Sequence, residues 1–191
     1  MHKNRVEAFS DGVIAIIITI MVLELRPPHG VELTELRPLA AKFLSYVVSF
    51  VYLAIYWNNH HHLFQAVNRI DGRVLWANTH LLFWLSLFPF GAAWMGENRF
   101  AAMPVAVYGV VLLFAGVAYY ILVRALLALH GSGSVLSTAI GSDFKGRVSV
   151  LIYIVAIPLA FVAPIVACAL YVGVAAIWLI PDRRIEKTLR T

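Results

Sequence analysis

The chain has 191 residues, of which 61% are hydrophobic and only 13% are charged. A soluble domain of this size carries about a quarter charged residues, so the composition excludes an ordinary soluble protein and indicates an integral membrane protein. The net charge of +5 requires no nucleic-acid partner, because membrane proteins concentrate lysine and arginine on the cytoplasmic side. The single cysteine, Cys168, cannot form a disulfide within the chain.

Hydropathy divides the chain into apolar segments long enough to span a membrane, which takes about 20 residues as a helix. We predict an all-α membrane protein in which residues 1–191 form a single domain with six transmembrane helices. The predicted helices cover about 6–25, 39–58, 74–96, 100–128, 148–162 and 164–181.

The last two helices are predicted from one uncharged run of 34 residues, Val148–Pro181. A single helix of that length would be about 51 Å long, far more than a hydrocarbon core of roughly 30 Å. Pro158 and Pro164 interrupt the run, and a proline is well suited to the first turn of a helix. We therefore predict two helices joined by a tight turn near 161–164, and one long kinked helix is the alternative.

The distribution of basic residues tests the helix count. With six helices, one side of the membrane has 11 of the 15 lysines and arginines: Lys3, Arg5, Arg69, Arg73, Arg124, Lys145, Arg147, Arg183, Arg184, Lys187 and Arg190. The other side has four: Arg26, Arg37, Lys42 and Arg99. Because cytoplasmic loops are enriched in basic residues, we expect both termini to be cytoplasmic and the basic C-terminal tail to lie near anionic lipid.

The first predicted helix has one apolar face with a single hydroxyl. Taking 100° per residue, Gly12, Thr19, Ile20 and Leu23 all lie within about 60° of Ile16. Periodicity alone gives this face no special role, because an all-apolar helix has aliphatic residues at any spacing. On periodicity alone, lipid contact or helix packing is the favoured explanation.

A carboxylate lies inside the same apolar run, and such groups are costly at membrane depth and rarely face lipid. We expect Asp11 to be paired with Arg5, with Ser10 or with polar groups of another helix. The third predicted helix offers Asn78 and His80, but these are about 200° apart around a helix and cannot both face one partner.

The segment at the end of the second predicted helix includes Trp57 and three adjacent histidines, His60, His61 and His62. A metal site is one interpretation of three adjacent histidines. Adjacent side chains diverge on a helix, however, and no acidic or cysteine ligand lies at a metal spacing nearby. Histidines at the membrane interface are the favoured interpretation, and we predict no metal and no cofactor.

Two patches of this sequence resemble the transmembrane-protein-175 family, which comprises lysosomal potassium channels and their prokaryotic relatives. The first patch is Arg5-x-x-x-Phe9-Ser10-Asp11, followed by an aliphatic helix that ends "VLEL". The second is Trp57-x-x-His60-His61-x-x-Phe64, followed by Asn78 and by Pro89-Phe90. Together they cover residues 5–90, whereas residues 100–191 match only in hydropathy and helix number.

The resemblance implies a potassium channel of a prokaryotic plasma membrane, built from four copies of the chain around a pore lined by the first helix. It implies that Ile16 forms the narrowest ring and that Thr19, Ile20 and Leu23 line the adjacent pore. It also implies that the motif anchors the first helix. The anchoring residues would be Arg5, Phe9, Ser10, Asp11, Trp57, His60, Asn78 and His80.

Other functions remain open at this point. A secondary transporter or a proton-permeable channel would also place ionisable groups at membrane depth. Asp11 and His80 could make conduction depend on pH, because histidine titrates near neutrality. An enzyme is not expected, because nothing supplies a nucleophile beside the histidines and Asp71.

Overall fold

The computed structural model describes residues 3–131, Ser134, Leu136 and 144–179 of the chain. The described part contains seven α-helices and one 3-10 helix. The α-helices are α1 (Asn4–Leu23), α2 (Ala40–Gln65), α3 (Gly72–Ser86), α4 (Phe88–Glu97), α5 (Ala102–His130), α6 (Phe144–Leu159) and α7 (Pro164–Leu179), and the 3-10 helix, Leu33–Leu39, precedes α2.

The structure confirms the predicted all-α fold with six helical segments. The seven α-helices make six segments because α3 and α4 together form the third one. Three helices of the described part are long and apolar enough to cross a membrane individually: Asn4–Leu23, Leu33–Gln65 and Ala102–His130. The end of the last segment at 180–181 and the basic C-terminal tail lie outside the described residues.

The third segment is divided, which corrects the single helix predicted over 74–96. The helix α3 ends at Ser86, and α4 begins at Phe88 with Pro89 in its first turn. Proline has no N–H to donate to the carbonyl one turn earlier, and its ring clashes with that carbonyl. The chain therefore restarts a helix at this point, and the Gly91 N–H donates to the Leu87 carbonyl.

The turn between the last two helices is as predicted, and the alternative of one long kinked helix is wrong. The helix α6 ends at Leu159, just after Pro158, and Pro164 is the first residue of α7. The Ala163 N–H donates to the Leu159 carbonyl at 2.8 Å and closes the turn.

The helix α2 is longer than predicted and continues seven residues beyond Asn58 to Gln65. His60 is consequently inside the helix bundle, where only 1% of its surface is exposed, and the location of the three histidines at the depth of the membrane interface stays a prediction. A hydropathy reading ends the helix at the first polar residues, whereas a helix buried in protein can continue if those residues find partners.

One face of α2 carries buried polar side chains that contact five other helices. Ser45 donates to the Ala92 carbonyl of α4, and Ser49 shares a hydrogen bond of 2.7 Å with Tyr108 of α5. Tyr52 donates to the Tyr171 carbonyl of α7 and accepts from Tyr153 of α6, while His60 contacts α3 as described below. The helix α2 is therefore central to the bundle.

The closest approach in the core joins α5 and α7 at Gly109. A Cβ atom on this residue would collide with the hydroxyl of Tyr171, which is buried and donates to the Val105 carbonyl. We expect Gly109→Ala to lower the free energy of unfolding by about 1–3 kcal/mol, because overpacking displaces the buried ring. Thermal unfolding in detergent measures the effect.

The matched control is Gly173→Ala on α7, where a Cβ atom would meet nothing within 4 Å. This variant should unfold at the parent temperature or slightly above it, because alanine is the better helix former. Equal melting temperatures for the two variants would show that the contact at Gly109 does not limit packing.

Candidate functional site

The helix α1 presents two different faces within the chain. The buried side packs against α2, α3 and α4 and consists of Val6, Ser10, Ile14, Ile17 and Met21, spaced three or four residues apart. The opposite side is uncovered and apolar. Ile16 is 59% exposed, Ile20 43% and Leu23 76% on this face, which also includes Gly12 and Thr19.

The buried side of α1 is held by a chain of hydrogen bonds that crosses three helices. The Asn78 amide of α3 donates from Nδ2 to the Ser10 hydroxyl at 2.9 Å. The Asn78 carbonyl oxygen accepts from His60 Nε2 of α2 at 2.8 Å. All three side chains are at most 2% exposed, and the His60 ring stacks on Phe64 with centroids 4.4 Å apart. The Ser10 hydroxyl itself donates to the Val6 carbonyl at 2.8 Å.

A second contact fixes α1 at its exposed edge. The Trp57 indole of α2 donates from Nε1 to the Asp11 carboxylate at 3.0 Å. The Trp57 ring also stacks on His61 with a centroid distance of 5.9 Å. A hydrogen bond to a charged acceptor is about twice as strong as a neutral one, so this contact restrains the rotation of α1.

The hydroxyl on the uncovered face bonds within its own helix. Thr19 Oγ1 donates to the Ile16 carbonyl at 2.8 Å. The proton of the hydroxyl is therefore occupied, and the oxygen lone pairs remain free to accept from a group beside α1.

The structure brings together five of the eight predicted anchoring residues, in two groups: Ser10 with Asn78 and His60, and Asp11 with Trp57. Of the partners expected for Asp11, the structure shows a polar group of another helix, Trp57. Among the described residues, no salt bridge joins Asp11 to Arg5, and the salt bridge found is Lys42–Glu97. Arg5 and Asp11 are six positions apart, which places them about 9 Å apart along the helix axis.

The structure places two further predicted anchoring residues outside these two groups. His80 is exposed on α3 and accepts a hydrogen bond of 2.9 Å from Trp84 Nε1 on its own helix, because Asn78 occupies the side of α3 that faces α1. Phe9 is 59% exposed and lies about 20° from Ile16 around α1, so it belongs to the uncovered face.

One anchor was missed by the sequence reasoning. Lys3 Nζ donates to the Phe64 carbonyl at 2.7 Å and ties the start of α1 to the last turn of α2. Lysine commonly hydrogen-bonds the free carbonyls at a helix C-terminus. A second helix that ends near residue 58, as predicted from hydropathy, leaves the Phe64 carbonyl in a loop and therefore gives no helix C-terminus for Lys3 to contact.

The fold and this site define a multi-pass helical membrane protein whose first helix is anchored on one side and uncovered on the other. A family model described as the endosomal/lysosomal potassium channel TMEM175 matches residues 5–89. A protein of Chryseobacterium sp. strain P1-3, named as a potassium channel, is 52% identical over 190 residues, which is 100% of this chain and 99% of that protein. The chain belongs to the TMEM175 family.

The solved structure of a relative agrees with this assignment. The crystal structure of a lysosomal potassium-selective channel TMEM175 homolog from Chamaesiphon minutus superposes with a TM-score of 0.81. It is 28% identical, and the match covers 94% of this chain and 97% of that chain. A zebrafish protein, named as the endosomal/lysosomal proton channel TMEM175, is 29% identical over 134 residues, which is 68% of this chain but 25% of that protein.

The hydrogen-bonded chain through Asn78 can be tested by removing its central amide. Asn78→Ala leaves Ser10 and His60 without this partner, and a buried polar group without a partner costs about 1–3 kcal/mol. We therefore expect a clearly lower thermal unfolding temperature in detergent.

Asn58→Ala is the matched control, because the exposed Asn58 amide donates only to the Ala54 carbonyl one turn earlier in α2. This variant should unfold close to the parent temperature. If both variants lost the same stability, Asn78 would not be an anchor of α1.

Proposed function

We propose that this protein is a potassium-selective channel that conducts passively along an axis lined by α1 of four copies, in the plasma membrane of a prokaryote. The observation that carries the proposal is the uncovered apolar face of α1, on which Ile16 is 59% exposed although the other side of the helix is firmly anchored. The names of the relatives as potassium channels support the choice of ion.

The proposed constriction is a ring of four Ile16 side chains. Such a ring offers no oxygen ligands, so it differs from filters built of backbone carbonyls and acts as an apolar narrowing that can gate by dewetting. An ion must shed part of its hydration shell to pass. Potassium holds its water less tightly than sodium and therefore meets the smaller penalty, which predicts modest selectivity.

The neighbouring residues extend the proposed pore. Thr19 lies about 4.5 Å along the axis from Ile16, one helical turn away. Because its proton is engaged by the Ile16 carbonyl, its oxygen can accept and would steady a partly dehydrated cation. Ile20 and Leu23 continue the apolar wall beyond it, with 43% and 76% of their surfaces exposed.

The test reconstitutes the protein in liposomes and measures potassium and sodium flux. We expect Ile16→Asn to raise the flux by about tenfold, equivalent to lowering the barrier by about 1.4 kcal/mol, and to weaken the preference for potassium. The amide replaces part of the lost hydration, so the discrimination between the two ions decreases.

The matched control is Val22→Asn, which places the same amide on an exposed position of α1 about 120° away from Ile16. Its flux and selectivity should remain those of the parent. Unchanged flux and selectivity in Ile16→Asn would contradict the constriction, and a solubilised assembly that is not four times the mass of the chain would contradict the tetramer.

The same liposomes separate the alternatives. A secondary transporter would need a coupled counter-ion, whereas a channel conducts with a potassium gradient alone. A proton-permeable channel would collapse an imposed pH gradient without potassium, an activity that the name of the zebrafish relative suggests.

A further inference from the structure

Two exposed arginines lie at the same end of the groove between α3 and α5. The two helices pack against each other, and the Trp84 ring of α3 stacks on the Phe114 ring of α5 at a centroid distance of 4.6 Å. Near the start of α3 and the end of α5, Arg69 Nη2 donates to the Leu129 carbonyl. Because residue numbers rise along one helix as they fall along the other, α3 and α5 are antiparallel.

The depth of each arginine follows from this arrangement. Arg73 precedes Trp84 by 11 residues, and Arg124 follows Phe114 by 10 residues, so they lie about 16.5 Å and about 15 Å from the aromatic stack in the same direction. Arg73 is about 20° from Trp84 around α3, and Arg124 is about 80° from Phe114 around α5. Both residues are exposed, so they lie at about the same depth on the uncovered side of the α3–α5 pair.

The surroundings of the two arginines indicate the headgroup level of a membrane. Trp76, one turn along α3 from Arg73, is 77% exposed, and exposed tryptophan is typical of the membrane–water interface. From the arginines toward the aromatic stack, the groove is lined on α5 by Ile121 and Phe114, each 40% exposed. The nearby Asp71 carboxylate accepts from the Val74 N–H at 2.9 Å and caps α3, so it is engaged in the helix terminus.

We propose that Arg73 and Arg124 bind the phosphate of an anionic phospholipid, with one acyl chain lying along the groove between α3 and α5. The positive charge and the forked shape of the guanidinium groups favour this partner. Arginine matches phosphate with two parallel hydrogen bonds, and basic pockets between transmembrane helices bind anionic headgroups. Among the described residues, neither arginine forms a salt bridge with a carboxylate, since the ion pair of the structure is Lys42–Glu97.

The experiment uses the full-length protein in mixed micelles that contain equal amounts of phosphatidylglycerol and phosphatidylcholine, with bound lipids counted by native mass spectrometry. We expect the parent protein to retain phosphatidylglycerol preferentially. Arg73→Gln combined with Arg124→Gln should lower this retention by about 25-fold, because each arginine near an anionic headgroup contributes a factor of about 5. Retention of phosphatidylcholine should stay the same.

Two further variants make the result specific. Arg26→Gln combined with Arg37→Gln removes two exposed arginines between α1 and α2, at the opposite end of the bundle, and should leave retention unchanged. Arg73→Lys combined with Arg124→Lys keeps the charges but loses the forked geometry, and should give an intermediate value.

Unchanged retention after removing Arg73 and Arg124 would overturn the proposal, and so would an equal loss in the Arg26 and Arg37 control. Circular dichroism verifies the helical content of every variant. If the double glutamine variant is not folded, the single variants Arg73→Gln and Arg124→Gln carry the same comparison, each with an expected loss of about fivefold.

Discussion

The side-chain amide of Asn78 joins three helices in one buried contact, and the orientation of α1 depends on it. It donates to Ser10 of α1 and accepts from His60 of α2. A helix bundle in lipid has no water to satisfy these groups, so each must find a partner inside the protein. Rotating α1 by one residue, about 100°, would turn Ser10 away and leave Asn78 without this partner. The same contact therefore decides that Ile16 is on the uncovered side.

The helix α2 connects the Asn78 contact to the other helices through its own buried hydrogen bonds. Its buried polar residues Ser45, Ser49, Tyr52 and His60 are four, three and eight positions apart, so they lie on one face, and together they contact five other helices. Tyr52 links α2 to the last two helices, whereas His60 at the other end holds Asn78. Because these hydrogen bonds are shielded from water, they restrict the relative positions of the helices more strongly than apolar packing alone would. The C-terminal half thus supports the helix that carries the uncovered face.

Much of the architecture could be predicted from the sequence, and the errors have common physical causes. The paired helices around Pro164 follow from length and from proline chemistry, which are local properties. The break at Pro89 was missed because the apolar run continues through it, and hydropathy contains no information on hydrogen bonds. The predicted end of α2 is too early because polar residues begin near 58, whereas the helix continues past them with Asn58 and His61 exposed and His60 buried. The burial of His60 depends on Asn78, a partner far along the chain.

The sequence by itself determined that the chain is an all-helical membrane protein, and its motif residues indicated the TMEM175 family. It also determined that one face of the first helix is almost purely aliphatic. Only the tertiary structure decided which side of that helix is covered, that Trp57 and not Arg5 meets Asp11, and that His80 points away from the anchor. The reason is that transfer free energies add up along a segment, whereas the rotation of each helix about its axis is set by contacts between residues distant in the chain.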